Sequence, residues 1–545
     1  MALGIGMGLG LDHALAGGGG GGGSAFEWTD HVPHADTITY YVSDSDGNDS
    51  NDGLSALTPK KTIGAAASLL RNNKPDWLLC KRGDVFAESL GWFVESINGY
   101  SDEFPVVFGT YGDTADPRPV IDAGSALGIS LNLNHVSYVA VVGYDFFCST
   151  HASGDNVDGA TLHSTTGILF EDCRFRDLKS AITCANSFGA GRPSGLRFRR
   201  CQIYDIYLTT GGGIGVFSSE TDGIEFEECL IDYCGWHSPS PAPGGFFHNT
   251  YFQHDCGPIT FTRCISTRSS LEGINARPGG WLRYNFISGS PIGIGYSSGT
   301  IAYDYSSNHG EILGNVFEDP WESFGGLFWG IAVVTAEFVD ISENIVQNNT
   351  LPLNDDFSFD LNSVSGPYGP TGCNDITLTD NIAYKCRSPF RIRNNGTGSD
   401  LTNITVSGND IQEDAGFNAT NGWGDSVTLG TLYINAYPGS VTFADNTWFT
   451  GRASGSWFND GLGGLSSFAS YMATIGDTTS TAGAKSYSDP GRTVADYMTS
   501  IGGTGGLAEF CDGARANRRY SWDDDYTAVA IINYIRDGYD LAPIA

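Results

Sequence analysis

Alternation of apolar and polar positions dominates the middle of the chain. Between residues 126 and 450 one short unit recurs: apolar, x, apolar, x, x, then Cys or Asn, with a further apolar residue one or two places on. It reads Ile168-Leu-Phe-Glu-Asp-Cys173, Leu196-Arg-Phe-Arg-Arg-Cys201, Ile224-Glu-Phe-Glu-Glu-Cys229 and Ile259-Thr-Phe-Thr-Arg-Cys264. It continues through Asn285 and Asn315 to Val339-Asp-Ile-Ser-Glu-Asn344, Ile376-Thr-Leu-Thr-Asp-Asn381, Ile404-Thr-Val-Ser-Gly-Asn409 and Val441-Thr-Phe-Ala-Asp-Asn446. Val139-Ala-Val-Val-Gly-Tyr144 begins the series. Period-two alternation predicts strands. Units spaced 21 to 37 residues apart predict a solenoid. No helical pattern intervenes, so the expected fold is all-β: a right-handed single-stranded parallel β-helix, with coils stacked ~4.8 Å apart. Cys then packs as a small hydrophobe, and Asn side chains bond in register along the stack.

The flanks differ. Residues 1–24 form a Gly-rich arm ending in Gly17 to Gly23, a flexible composition. In residues 25–125, Thr37-Ile-Thr-Tyr-Tyr-Val-Ser43 predicts a strand and Asp44 to Gly53 a turn. Thr58 to Leu70 predicts a short cap helix with Pro59 near its start, and Trp77 to Phe86 a strand and turn. Residues 451–485 read as a Gly/Ser-rich linker. Residues 486–545 carry helical apolar spacing at Thr493–Ser500, Gly506–Arg515 and Tyr526–Arg536, a small segment expected to cap or dock the solenoid end.

The Tyr-Tyr-Val strand, Gly-Asn-Asp turn, Pro-x-x-Thr-Ile helix and Arg82-Gly-Asp84 strand end together resemble the opening of parallel β-helix proteins of the pectin-lyase-like superfamily. The arm at 1–24 resembles the attachment arms of bacteriophage tail proteins, and the C-terminal segment is similar to that of bacterial and phage β-helix proteins. The resemblance implies an extended polysaccharide ligand, as for lyases, rhamnogalacturonan hydrolases and phage tailspikes of this fold.

Composition narrows the partners. With 62 acidic and 29 basic residues the net charge is −33, which disfavours nucleic acid. Twelve cysteines without a CxxC pair make neither a disulfide scaffold nor a zinc site, and their positions follow the repeat. No apolar run is long enough to span a membrane. No Lys or Arg precedes Lys60, so no signal peptide is expected. The acidic turn at Asp44, Asp46, Asn48 and Asp52 has Asp49 and Ser55 where a calcium loop needs Gly and Glu, so it reads as a turn.

The most distinctive block is His248 to Asp255 followed by Glu272 to Gly280. Alternation places Tyr251 beside Asn275, Gln253 beside Arg277 and His248 beside Glu272 on neighbouring coils, with Tyr296 one coil on. The spacing from Cys264 to Asn285 is the shortest, which leaves no room for an intervening loop. The candidate catalytic residues are His248, Tyr251 and Arg277. In a β-elimination, Arg277 neutralises a uronate carboxylate, His248 or Tyr251 removes the C5 proton, and a Tyr or His protonates the leaving oxygen. Candidate sugar contacts are Gln253, His254, Glu272, Asn275 and Tyr296, with Trp321 and Trp329 from an aromatic-rich loop. The Pro-rich stretch Trp236 to Gly245 could wall the groove. In the competing structural reading, His248 and Asn275 close turns and Arg277 pairs with Glu272. A hydrolase instead needs two carboxylates, with candidates Asp255, Glu272, Asp304, Glu311, Glu318 and Glu322.

The expected protein is a virion tail-spike or fibre that binds and depolymerises a host surface polysaccharide. It would be homotrimeric and attached to other tail proteins through residues 1–24. Rivals are a secreted polysaccharide lyase and a non-catalytic adhesive virion protein. No cofactor is expected, a groove-bound Ca2+ being left open.

Overall fold

The computed structural model describes residues 27–544 except 125–127, 155, 187–190, 209–211, 239–241, 300–304, 322–326, 349–354, 364–371, 388, 395–399, 414–429, 433–439, 452–456 and 460–463. The arm at 1–24 lies outside the described residues, as do Asp304 and Glu322.

The repeating unit folds into a parallel β-helix with three sheets of 14 strands each. One coil runs through Ile259–Thr262 in the first sheet, Ile265–Thr267 in the second and Glu272–Ala276 in the third, then returns to the first at Gly280–Arg283. Neighbouring coils pair in parallel, so equivalent side chains stack. Phe170, Phe198, Phe226 and Phe261 form one inward file, with ring centroids 5.4, 4.8 and 4.6 Å apart.

The corner between the first and second sheets explains the Cys/Asn position. The preceding residue has φ near +50 to +60° at Asp172, Arg200, Glu228, Arg263, Tyr284, Glu343 and Asp380, and glycine takes that place at 314 and 408. This left-handed residue turns the chain and leaves a carbonyl of the previous coil needing a donor. The Cys201 thiol donates to the Phe170 carbonyl and Cys229 to Phe198. Asn285 Nδ2 does the same to Phe261, and Asn315 to Leu282. Asn adds a second bond. The Oδ1 of Asn315, Asn344, Asn381 and Asn409 accepts the backbone N–H of the ladder residue one coil before, at 2.9–3.1 Å. All 12 cysteines are free and buried.

The N-terminal pieces form as strand Thr39–Val42, helix Ile63–Ala67 and strand Trp77–Lys81. The helix is shorter than Thr58–Leu70, because Asp49 binds the N–H groups of Lys61 and Thr62 and holds them in the acidic turn.

Two C-terminal expectations are corrected. The 451–485 linker contains helix Phe468–Ile475, capped by Ser467. Its Tyr471 and Met472 enter the solenoid core, and Tyr471 stacks on Phe458 at 4.8 Å. This helix closes the end of the coil stack. Residues 486–545 lie instead along its flank as a strap of helices Val494–Ser500, Leu507–Ala516 and Ala528–Gly538. Met498, Phe510, Ile531, Ile532 and Ile535 cover an outward row on the second sheet: Leu230, Ile265, Phe286, Val316, Ile345 and Ile382. Each of these follows a ladder Cys or Asn directly. In the coils to either side that position is polar: Asp145, Arg174 and Gln202 before the row, Asp410 and Thr447 after it. Burying such side chains contributes about 1.5–3 kcal/mol apiece, which is why the strap follows this row.

Candidate functional site

The candidate residues gather on the outer face of the third sheet. Register sets Tyr251 against Asn275 and Phe252 against Ala276. Asn275 then lies against Gly295, and Ala276 against Tyr296. Phe252, Ala276 and Tyr296 therefore point inward, while Tyr251 and Asn275 point outward.

His248 and Glu272 meet as that register requires. His248 Nδ1 lies 2.6 Å from Glu272 Oε2. The other contact of that carboxylate oxygen is Asn275 Nδ2, at 2.8 Å. Burial pushes the Glu272 carboxyl up. The opposing influences of His248, Asn275 and Arg277 outweigh it and hold the group below its ordinary range. Glu272 is thus a carboxylate and accepts the Nδ1 proton of His248, which fixes the imidazole orientation. His248 is only 3% exposed, and its ring stacks on Tyr251 with centroids 4.9 Å apart. Arg277 bonds to the outer end of Tyr251: Nη1 donates to the phenolic oxygen at 2.8 Å. Arg277 therefore does not pair with Glu272 as the structural reading supposed. Tyr251 and Arg277 are half-buried and form the accessible part of the cluster.

The Oδ1 of Asn275 is buried and accepts no hydrogen bond, although its residue is 1% exposed. A buried acceptor left empty costs about 1–3 kcal/mol.

Two supporting residues were not singled out from sequence. Phe217 stacks on the far side of Tyr251 with centroids 6.0 Å apart. Asn249 is fully buried, donates from Nδ2 to the Ile231 and Thr267 carbonyls and to Ser266 Oγ, and accepts from the Cys234 N–H. It occupies an inward file otherwise made of small residues, including Gly215 and Gly273. A Cβ on Gly215 would come within 2.5 Å of the Asn249 carbonyl. The room left by these glycines admits the amide, which locks the backbone beside His248.

The remaining candidates divide. Gln253 and His254 are half-buried in the turn after the strand, and the Gln253 N–H bonds to the Ser218 carbonyl. Tyr296 is corrected as a sugar contact: it is 2% exposed, and its hydroxyl accepts from the Gly280 N–H and donates to the Gly280 carbonyl. Trp329 lies in register with Ile292, two coils beyond Glu272, and its buried Nε1 has no partner. Trp321 packs on Trp236 with centroids 4.3 Å apart, and Trp236 donates to the Arg268 carbonyl. The two loops thus brace each other at the corner between the second and third sheets.

The carboxylates proposed for hydrolysis are dispersed. Glu311 pairs with Arg283 on the first sheet. Glu318 lies under the strap on the second, bonded to the Val494 N–H and Gln347. Asp255 accepts the Glu220 N–H in a turn. Glu311 and Glu318 thus lie on other sheets, which leaves Glu272, held to His248, and Asp255, held to Ser219 and Glu220, as the described candidates near this face. No three His, Cys, Asp or Glu side chains converge as metal ligands among the described residues.

No protein-family model and no curated protein matches the chain. Solved structures with a similar course include a mutant of the PL6-family alginate lyase AlyGC: 12% identity and TM-score 0.48, covering 78% of this chain and 53% of that one. XylC in complex with xylose is 10% identical with TM-score 0.44, covering 82% of this chain and 86% of that one. A GH136 lacto-N-biosidase from Eubacterium ramulus is 13% identical with TM-score 0.37, covering 82% and 67%.

Proposed function

We propose that this protein cleaves an acidic polysaccharide by β-elimination at Tyr251 and Arg277. The observation that carries the reading is the Arg277–Tyr251 bond at the accessible rim, backed by the His248–Glu272 pair. Tyr251 acts as the base through its phenolic oxygen and takes the C5 proton of a uronate, and the remaining N–H groups of Arg277 bind the carboxylate and stabilise the charge that develops on it. The electron pair left at C5 forms the C4–C5 double bond, and the C4–O bond breaks. Tyr251, now protonated, returns its proton to the leaving oxygen. Buried His248 positions Tyr251 through ring stacking, and Glu272 positions His248.

The test is incubation of the full chain with polymannuronate, polyguluronate, polygalacturonate and rhamnogalacturonan, following the ultraviolet absorbance of the unsaturated uronate. Arg277→Ala and Tyr251→Phe are each expected to lower the rate about 10²–10³-fold. Full activity in either variant, or new reducing ends without unsaturated product, overturns the scheme. The Gly-rich arm at 1–24 and the resemblance to phage tail proteins motivate a virion-attached homotrimer; a monomer mass in solution would overturn the trimer, and virion incorporation unchanged by removal of residues 1–24 would overturn the attachment.

A further inference from the structure

The face that carries Tyr251 continues towards the N-terminal end as an unbroken column. Backbone register places Trp92 against Asn132, Asn132 against Thr161, Thr161 against Thr183, Thr183 against Phe217 and Phe217 against Tyr251. At ~4.8 Å per coil the column spans ~24 Å along the axis, a step close to the repeat of an extended pyranose chain. Three features set it apart from a merely solvated sheet. Trp92 is 60% exposed, a large aromatic face on open sheet. The Oδ1 of Asn132 and the Oγ1 of Thr161 are buried and have no hydrogen-bond partner among the described residues, both residues being 6% exposed. Asn134, two residues along the same strand from Asn132, has an Oδ1 in the same condition.

We infer that this column is a binding track for an extended glycan, which lies parallel to the solenoid axis and delivers one end to Tyr251 and Arg277. The chemistry of the column identifies the ligand. The unfilled groups can all accept a hydrogen bond, and Thr161 can also donate one, which suits a partner rich in O–H groups. The column itself carries no Lys, Arg, Asp or Glu, so it meets the glycan through sugar hydroxyls and ring faces, and the uronate charge is met at Arg277. Beside it, burial and then His135 hold the pKa of His163 below its ordinary value. Trp92 and Phe217 offer ring faces on which sugar C–H groups stack.

Direction follows from what lies beyond Asn275. Gly295 and Ala332 continue the column, and Asp360 then closes it, bound at both oxygens by Arg391 at 2.7 Å. Unfilled acceptors lie on both sides of the scissile position, at Asn132 and Thr161 on one and at Asn275 and Asn362 on the other, but the exposed Trp92 ring stands on the first side and the closed Asp360–Arg391 pair on the second. The longer run of sugars therefore occupies the Trp92 side.

The inference rests on the polysaccharide reading of the site, and one experiment separates the two. A Tyr251→Phe background is titrated with the polysaccharide, among the four named, that the wild type binds most tightly. Its trisaccharide and a fragment long enough to span ~24 Å are titrated alongside. Adding Trp92→Ala is expected to weaken the polymer and the long fragment about tenfold and to leave the trisaccharide unchanged. Thr161→Val serves as the second variant, with the same pattern expected. An equal loss for long and short ligands, or no loss, overturns the track. If glycans bind without being cleaved by the wild type, the elimination scheme falls and the same comparison still decides the track. If none of the four binds, both fall.

Discussion

The outer faces of the second and third sheets are built from the same coils and treated in opposite ways. On the second, the strap supplies partners for buried polar groups. Asp232 receives Arg515 as well as Arg268, Glu318 receives the Val494 N–H, and Gln347 receives the Tyr539 hydroxyl. On the third, Asn132, Thr161 and Asn275 keep buried acceptors empty. Folding removes polar groups from water only where something replaces the lost hydrogen bonds. The second face carries its replacement in its own chain. The second face keeps some unpaired groups too, at Gln202 Oε1, Ser288 Oγ and Asp410 Oδ1; the third carries no such strap among the described residues and leaves Trp92 exposed, as the proposed glycan track requires.

Substitutions that exchange the character of the two faces sharpen this contrast. The largest effect is expected for Phe286→Asp, which puts a charge between the second sheet and Phe510. Chemical denaturation should show a loss of about 3–5 kcal/mol, whereas Trp92→Ser on the third face should cost within about 0.5 kcal/mol. Equal losses would mean that both faces are sealed.

A smaller effect concerns pH. Burial, and then Asp319, push the Glu318 carboxyl up to about 8, against the Val494 N–H and Gln347. Its folded pKa lies above the unfolded value near 4.5, so the folded state holds the proton more tightly. That stability is fully present below the unfolded pKa and is lost as pH rises to about 8. Glu318→Gln should flatten the fall in melting temperature between pH 5 and 8, an effect of order 1–3 kcal/mol; an unchanged profile would remove Glu318 as its cause.

The smallest effect is expected at the corner shared by both faces. Cys229→Asn should change stability by no more than about 1 kcal/mol, because either side chain donates to the same carbonyl. Asn344→Leu, which removes four side-chain hydrogen bonds, should cost about 2 kcal/mol. Denaturant midpoints for both variants check this.

Much of this was legible because stacking makes register a local property. The Cys/Asn position fixes where each coil turns. The pairing of Tyr251 with Asn275, 24 residues on, follows from the alternation of the two segments and not from the 21-residue ladder step alone. The same parity should have turned Tyr296 inward with Ala276; reading it as a sugar contact weighed its residue type above its place. The strap footprint was also visible, as apolar residues after the ladder at 230, 265, 286, 316, 345 and 382, but an outward apolar row does not say which segment covers it. Nothing in the sequence shows that the amide of Asn249 fits among glycines. That depends on space left by residues on other coils.

The strap has a mechanical consequence. A solenoid held only by contacts between neighbouring coils frays from its ends, one repeat at a time. Here helices that follow all the coils in the chain grip a row from Leu230 to Ile382, and Asn517 reaches further, accepting a bond from Arg118. Six successive coils are thereby tied to one clasp that can close only after they have stacked. Opening any of them strains the clasp on the rest, which converts a zipper into a single latch.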